Sequence, residues 1–219
     1  MGHQFNVAVF DVDGTILDTS EGIIAAVKYT IEKYGLEVPD TEKMKTFIGP
    51  PIQDSFSRFF GLPQKAADEM AAVFRNRYKD VELLRAVPYD GIYELFARLV
   101  DNGIAPAIAT YKRQDYATEI LKAFKFDRFT DIMCGSDFAG RLKKKDIIRN
   151  ALSEAGLMDL SKAVMIGDSN NDAAGANEIG INFIGVTYGF GFNSKEDVYE
   201  FKNVGAADTV GELGNLLLG

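Results

Sequence analysis

The sequence predicts an α/β fold: a doubly wound, Rossmann-like parallel sheet core with an inserted all-helical cap domain. Three observations carry this prediction. Val7 to Phe10 form a continuous apolar run, which is typical of a strand buried on both faces of a parallel sheet. From Pro88 onwards, helix and strand patterns alternate, as they do in doubly wound sheets. Between residues 18 and 85 only helical patterns recur.

The first strand is followed by the predicted helical segment. A helix is expected to begin at Asp18, because Glu21 three residues later completes a capping-box pattern, and Gly35 ends the apolar spacing. Pro51 and Pro63 lie near the starts of two further helical patterns, where proline is tolerated. The segment 18–85 is therefore predicted to be a chain of helices.

The second part of the chain is predicted to build most of the sheet. Apolar residues from Ile92 to Val100 recur at helical spacing, and the strand pattern IAPAIAT follows. Pro106 lacks a ladder donor, so this strand is expected to start at Ala107 and to end at Thr110. Three more helix and strand pairs follow, with helices near 114–124, 145–155 and 172–179 ahead of the strands DIMCG, AVMIG and INFIGV.

These patterns predict two domains. Residues 1–17 and 86–219 would form the α/β catalytic core, and residues 18–85 would form a helical cap inserted after the first strand. Ligands of such sheets bind beyond the carboxyl ends of the strands. An insertion that leaves the chain at this point is a candidate lid over that site.

Composition limits the classes of function. The chain has 219 residues, with 24 Lys and Arg against 32 Asp and Glu, a formal net charge of -8. This balance argues against a partner that is nucleic acid or an anionic membrane surface. The apolar runs are far shorter than the roughly 20 residues that a membrane-spanning helix needs. A small anionic substrate remains compatible with the sequence.

Histidine and cysteine are too scarce for several kinds of site. His3 is the single histidine and Cys134 the single cysteine. Catalytic triads, Cys-His pairs and His-rich zinc sites therefore lack their central residues. One cysteine without a partner, and an N-terminus without a secretion or lipid-anchor signal, lead us to expect a cytoplasmic protein.

Two aspartates follow the first strand. Asp11 and Asp13 are two positions apart, so their side chains would point to the same side if the chain stayed extended. A metal ion or a shared proton would relieve their repulsion. The alternative is a plain hairpin, since Asp-Gly is a strong turn signal, but Val7 to Phe10 does not alternate as a hairpin strand would.

Two more aspartates follow the strand AVMI. In the run GDSNND, Asp168 would lie at the strand tip and Asp172 near the start of the next helix, where capping alone would explain it. Because parallel strands end at one edge, Asp11, Asp13, Asp168 and Asp172 would together form an all-oxygen site. Mg²⁺ is the cation that such a site suits best.

Two candidate phosphate ligands complete the pattern. Thr110 offers a hydroxyl at the end of its strand, and Lys144 offers an ammonium ahead of a helix. Each has an ordinary alternative, because threonine is common in strands and lysine runs usually mark a solvated face.

The motifs DVDGT, a strand-ending Thr110, a lysine before a helix and GDSNND, in this order, resemble the four motifs of the haloacid dehalogenase superfamily. The inserted helices resemble the cap of its phosphoglycolate phosphatase-like and β-phosphoglucomutase-like branch. FIGPP at 47–51 and GVTYGFG at 185–191 resemble the phosphoglycolate phosphatase-like group in particular.

The resemblance implies a role for each motif residue. Asp11 would be the nucleophile and Asp13 the general acid and base. Mg²⁺ would bind Asp11, Asp168 and the Asp13 carbonyl, with Asp172 as a ligand or an orienting residue. The phosphate would bind the remaining pair, Thr110 and Lys144, with Lys145 as the alternative lysine.

The resulting prediction is Mg²⁺-dependent hydrolysis of a small phosphomonoester, phosphoglycolate-like, through an aspartyl phosphate. The presence of Asp13 argues against a dehalogenase, which lacks the acid/base carboxylate. The alternatives are a phosphomutase of the β-phosphoglucomutase type, a nucleotidase or a pyrophosphatase. A phospho-Asp signalling module like a response-regulator receiver is more distant, because its acceptor lies on a later strand and it has no helical insertion. The expected partner is a small phosphorylated metabolite, and the oligomeric state stays open.

Overall fold

The structure is a computed structural model that describes residues 4–138 and 140–219, so His3 lies outside the described residues. The chain divides into two compact units. The first unit consists of two segments, the chain up to Leu17 and Pro88–Gly219. The second unit is Asp18–Val87. The sequence placed the second boundary two residues earlier, after residue 85.

The described residues form eight strands. In chain order they are β1 (Val7–Phe10), β2 (Leu17–Asp18), β3 (Val87–Pro88), β4 (Ala105–Arg113), β5 (Met133–Ser136), β6 (Ala163–Gly167), β7 (Asn182–Val186) and β8 (Gly205–Ala207). Six of them form one sheet in the order β5-β4-β1-β6-β7-β8, and the short strands β2 and β3 pair with each other. Every pairing in the large sheet is parallel. The predicted doubly wound α/β fold is confirmed.

Ten α-helices accompany the strands in the described residues. They are α1 (Ser20–Lys33), α2 (Thr41–Lys45), α3 (Ile52–Phe60), α4 (Gln64–Arg77), α5 (Ile92–Asp101), α6 (Gln114–Ala123), α7 (Lys144–Glu154), α8 (Asn170–Ile179), α9 (Lys195–Tyr199) and α10 (Val210–Leu218). A π-helical turn, Tyr78–Glu82, extends α4, and two 3₁₀ turns lie at Phe126–Arg128 and Leu160–Lys162. Within residues 4–138 and 140–219, none of these helices has the length and apolar character that crossing a membrane requires.

Strand β1 lies at the centre of the sheet because it is apolar along its whole length and is covered on both faces. Val7 pairs with Ala105 of β4 on one side and with Ala163 of β6 on the other. All four residues of β1 are buried. The carboxyl ends of β4, β1 and β6 therefore lie side by side at one edge, and the side chains that follow them can meet there.

Strand β4 is longer at both ends than the sequence predicted. It begins at Ala105 and includes Pro106, although Ala107 was the expected start. Proline is tolerated there because its nitrogen faces the side of β5, whose pairing with β4 begins only at Ile108. At the other end, β4 continues past Thr110 to Arg113, which pairs with Ser136 after an irregularity in the register.

The inserted unit is helical, apart from the single residues that its two ends contribute to β2 and β3. Pro51 and Pro63 cap α3 and α4, as their positions in the sequence suggest. Aromatic rings fill its centre, and Phe56 is completely buried. The capping box expected at Asp18 and Glu21 is wrong, because the Glu21 carboxylate instead accepts a hydrogen bond from Arg85 Nε at 3.1 Å.

Candidate active site

The chain turns sharply after β1. The Val12 carbonyl accepts hydrogen bonds from the N–H groups of Thr15, Ile16 and Leu17, and Gly14 adopts φ +79°. The hairpin alternative does not apply, because β1 pairs in parallel with β4 and β6. The turn leaves the buried side chain of Asp11 at the carboxyl edge of the sheet.

Lys144 joins two of the predicted aspartates. Its Nζ lies 2.6 Å from Asp11 Oδ1 and 2.7 Å from Asp172 Oδ1, and only 3% of its side chain is exposed. It is the first residue of α7, and its backbone N–H donates to the Tyr111 hydroxyl at 3.0 Å. By contrast, Lys145 points to Glu178, at 2.6 Å. Lys144, which the sequence favoured, therefore contacts the predicted aspartates, and the alternative Lys145 pairs with Glu178 instead.

Asp172 has two roles at once. Its Oδ2 accepts hydrogen bonds from the backbone N–H and the hydroxyl of Ser169, so it completes the capping box of α8. Its Oδ1 is buried and receives no well-directed hydrogen bond from the described residues, although the Lys144 ammonium lies close enough for an ion pair. Asp172 therefore caps α8, as the alternative interpretation expected, and it also contacts Lys144.

Asp168 is held by a loop that sequence reasoning did not connect to it. The N–H groups of Phe190 and Gly191 donate to Asp168 Oδ2 at 2.6 and 3.2 Å. A Cβ on Gly189 would lie 2.3 Å from the Gly14 carbonyl oxygen and 2.4 Å from Asp168 Oδ2. The absence of a side chain at Gly189 therefore allows the backbone to pass close to the carboxylate.

We predict that Gly189→Ala weakens divalent-metal binding about 10-fold to 100-fold, because the added methyl group displaces the loop that orients Asp168. Isothermal titration of the metal would measure the change. Gly211→Ala is the matched control, since a Cβ there meets nothing closer than 3.8 Å. Equal metal affinity in both variants would contradict this role for Gly189.

Asp13 has its own lysine. Lys112 Nζ lies 2.8 Å from Asp13 Oδ1, and both side chains are largely buried. The expectation that Asp11 and Asp13 share one side assumed an extended chain, but β1 ends at Phe10 and each carboxylate pairs with a different cation. Sequence reasoning missed Lys112 because it ended the strand at Thr110.

Thr110 is completely buried in β4, two residues beyond Ile108, which lies opposite Phe10. Its hydroxyl accepts a hydrogen bond from the Lys112 N–H at 3.2 Å. This contact joins the Thr110 hydroxyl to the backbone of Lys112, whose side chain pairs with Asp13.

Burial dominates the electrostatics of the cluster. It raises the pKa of Asp11 to about 7, although the Lys144 ammonium opposes the shift. Burial also raises the pKa of Asp168 well above its usual value, and the negative charges of Asp172 and Asp11 add to this effect. Burial disfavours the Lys144 ammonium, but the carboxylates of Asp11 and Asp172 outweigh it, so the pKa of Lys144 is raised.

The cluster fits a divalent cation. Asp11, Asp168 and Asp172 each offer one oxygen, and these three oxygens lie within 4.8 Å of one another. Ligands of an octahedral Mg²⁺ are separated by about 3 to 4 Å when each bond is about 2.1 Å long. When ionised, the three carboxylates and Lys144 carry a net charge of -2, which a divalent ion would cancel. The Oδ1 of Asp172 is buried in this cluster and lies 2.7 Å from Lys144 Nζ.

The raised pKa of Asp11 predicts how stability depends on pH when metal is removed. The folded chain holds the Asp11 proton more tightly than the unfolded chain does, so the resulting stabilisation is complete below pH 3.8 and is lost as the pH rises through about 7. We expect wild type in chelator to lose stability relative to Asp11→Asn over this range, by at most about 1.4 kcal/mol per pH unit. Urea unfolding from pH 4 to pH 8 measures the difference. If the difference in free energy of unfolding between wild type and Asp11→Asn stayed constant with pH, the raised pKa of Asp11 would be contradicted.

The chain is similar to several known proteins. Residues 8–186 match the family described as haloacid dehalogenase-like hydrolase. A 5'-nucleotidase of Pseudomonas aeruginosa is 37% identical over 184 residues, 84% of this chain and 83% of that protein. A phosphoglycolate phosphatase of Agrobacterium fabrum is 30% identical over 190 residues, 84% of this chain and 81% of that protein.

A solved structure extends the similarity to almost the whole chain. The crystal structure of a predicted phosphatase from Clostridium acetobutylicum superposes with a TM-score of 0.90 and 33% identity, covering 96% of this chain and 97% of that one. Motif order, fold and sequence similarity thus lead to the same conclusion. The chain belongs to the haloacid dehalogenase-like hydrolase family.

Proposed function

We propose that the protein is a Mg²⁺-dependent phosphatase that hydrolyses a small phosphomonoester through an aspartyl phosphate on Asp11. The observation that carries this proposal is the buried cluster in which Lys144 bridges Asp11 and Asp172 beside Asp168. Such a site attracts a cation first and a phosphate afterwards, since the cation offsets the carboxylate charge.

In the proposed first step, an oxygen of Asp11 attacks phosphorus and the bond from phosphorus to the ester oxygen breaks. Asp13 gives its proton to the departing oxygen, which leaves as an alcohol. Lys112, 2.8 Å from Asp13 Oδ1, positions this carboxyl group. In the second step, water attacks phosphorus and gives a proton to Asp13, and the bond to Asp11 breaks. The sum is phosphomonoester and water giving alcohol and inorganic phosphate.

Asp11, Asp168, the Asp13 carbonyl and Asp172 would hold Mg²⁺. When bound, Mg²⁺ supplies a Lewis acid that reduces the repulsion between the Asp11 carboxylate and the phosphate. Lys144 and the Thr110 hydroxyl would bind the phosphate oxygens, where positioning and charge dominate catalysis of phosphoryl transfer. Lys144 would then exchange part of its contact with the carboxylates for the phosphate.

The names of the relatives support a phosphatase but differ in substrate. One is a 5'-nucleotidase, another a phosphoglycolate phosphatase, and a third, from Halalkalibacterium halodurans, a pyrophosphatase. Phosphoglycolate stays the substrate predicted from the sequence motifs. We also retain a cytoplasmic location as a proposal, because a chain with a single cysteine cannot form an internal disulfide, which fits a reducing compartment.

A panel of phosphoesters tests the proposal. Purified full-length protein would be assayed for phosphate release from phosphoglycolate, nucleoside 5'-monophosphates, sugar phosphates and pyrophosphate, with Mg²⁺ and with chelator. We expect release that requires Mg²⁺. A mutase would instead transfer the phosphoryl group to a second sugar hydroxyl, and a receiver-like module would retain it without turnover. Absence of release from every ester would contradict the proposal.

A further inference from the structure

An exposed aromatic ring lies at the carboxyl edge of the sheet. Phe138 follows β5 by two residues and is 72% exposed. Among the described phenylalanines, Phe59 is the only other one classed as exposed, at 37%. Burial in the core does not explain an apolar ring that is this exposed at the same edge of the sheet as the candidate active site.

Regular elements support one face of this ring. Arg113, the last residue of β4, places its guanidinium carbon 4.3 Å from the centre of the Phe138 ring and 4.2 Å from that of Tyr116. Two hydrogen bonds to Asp115, of 2.6 and 2.7 Å, hold the guanidinium in its plane. Tyr116 is buried in the first turn of α6. The Arg113 guanidinium therefore lies over both rings, and Phe138, Arg113 and Tyr116 are together called the stack.

The charges of the stack argue against a second phosphate site. The Arg113 guanidinium is already paired with the Asp115 carboxylate by two hydrogen bonds, so its charge is largely neutralised. What the stack still offers to a ligand is the flat apolar surface of Phe138. Such a surface, backed by a guanidinium, binds the π-face of a planar ring.

The position of the stack sets the distance to the reacting phosphate. β5 is two strands away from β1, and neighbouring strands are about 4.8 Å apart, so the strand that leads to Phe138 is displaced sideways from the strand that leads to Asp11 by about 10 Å. A two-carbon ester such as phosphoglycolate does not extend so far. A nucleoside 5'-monophosphate does, because its sugar separates the phosphate from a planar base.

We propose that Phe138, supported by Arg113, is the stacking surface for the base of a nucleoside 5'-monophosphate whose phosphate reacts at Asp11. The proposal rests on the proposed phosphatase function and names its substrate class. Because stacking reads the face of a ring rather than its edge, purine and pyrimidine nucleotides would both be accepted, with purines preferred for their larger area.

The test compares two substrates that share a ribose 5-phosphate group and differ at C1 of the sugar, which carries a base in one and a hydroxyl in the other. For wild type and Phe138→Ala, kcat/KM would be measured with adenosine 5'-monophosphate and with ribose 5-phosphate, both with Mg²⁺. We expect wild type to prefer the nucleotide and Phe138→Ala to lower the ratio of the two values about 10-fold. Phe138→Tyr, which keeps a ring, should preserve the ratio.

Tyr199→Ala is the matched control, because Tyr199 is 57% exposed and lies in the same unit at the end of α9, which runs away from the carboxyl edge. Three results would overturn this inference and leave the proposed phosphatase function unaffected. They are an unchanged ratio in Phe138→Ala, an equal loss of kcat/KM for both substrates, and a wild type without preference for the nucleotide. Absence of phosphate release from every ester would overturn the proposed function, and this inference with it.

Discussion

Asp11→Asn is expected to lower phosphate release from every substrate of the enzyme by about ten-thousand-fold or more. The amide has nearly the same shape as the carboxylate, but it cannot take up the phosphoryl group as an anionic oxygen nucleophile. The variant also keeps a polar side chain beside Lys144, whose Nζ lies 2.6 Å from Asp11 Oδ1. Steady-state kcat with Mg²⁺ measures the effect.

The matched control is Asp101→Asn, at the exposed C-terminal residue of α5. This change should leave kcat within about two-fold of wild type, as surface substitutions usually do. Circular dichroism would establish that both variants are folded. A folded Asp11→Asn that retains a tenth or more of the wild-type kcat would show that another group accepts the phosphoryl group or that water attacks directly.

Lys144→Ala is expected to have the second largest effect. Loss of a preorganised cation at a transferring phosphoryl group costs about 100-fold to 1000-fold in kcat, by analogy with other electrostatic donors. Removing the ammonium also leaves Asp11 and Asp172 without a cation in the buried cluster, so we expect the metal-free protein to lose about 3 kcal/mol in free energy of unfolding. Mg²⁺ should restore part of this stability.

Lys145→Ala is a close comparison, because the two lysines are adjacent on α7 and differ in what they contact. Lys145 pairs at the surface with Glu178, so its loss should change stability by about 0.5 kcal/mol and kcat by about two-fold at most. If Lys145→Ala lost activity while Lys144→Ala kept it, the ligand assignment made from the geometry would be wrong.

Patterns within a few residues were sufficient to predict most of the fold. The apolar run Val7 to Phe10 indicates a central parallel strand, and β1 is indeed flanked by β4 and β6. The same reasoning predicts that Asp11 and Asp168 lie at one edge of the sheet, because Asp11 follows β1 and Asp168 follows the neighbouring parallel strand β6. The C-terminal elements β8 and α10 had no predicted counterpart. β8 is only three residues long, Gly-Ala-Ala, and such a segment carries little periodicity.

Contacts between distant parts of the chain could not be predicted. Lys112 escaped notice because its role depends on β4 continuing beyond Thr110, which only pairing with β5 reveals. The choice among three consecutive lysines depends on where α7 begins, and boundaries are the least certain part of a sequence-based prediction. The donors to Asp168 lie 22 and 23 residues away along the chain.

Asp11 is expected to become covalently phosphorylated during turnover. The most direct measurement begins with the enzyme turning over, in the presence of Mg²⁺, a substrate that it hydrolyses, and stops the reaction rapidly with acid. The acyl phosphate is then reduced with borohydride, and the peptides are analysed by mass spectrometry. Reduction converts a phosphorylated aspartate into homoserine. We predict homoserine at position 11 in wild type and none in Asp11→Asn. Label at another carboxylate, or unlabelled enzyme during active turnover, would contradict the mechanism.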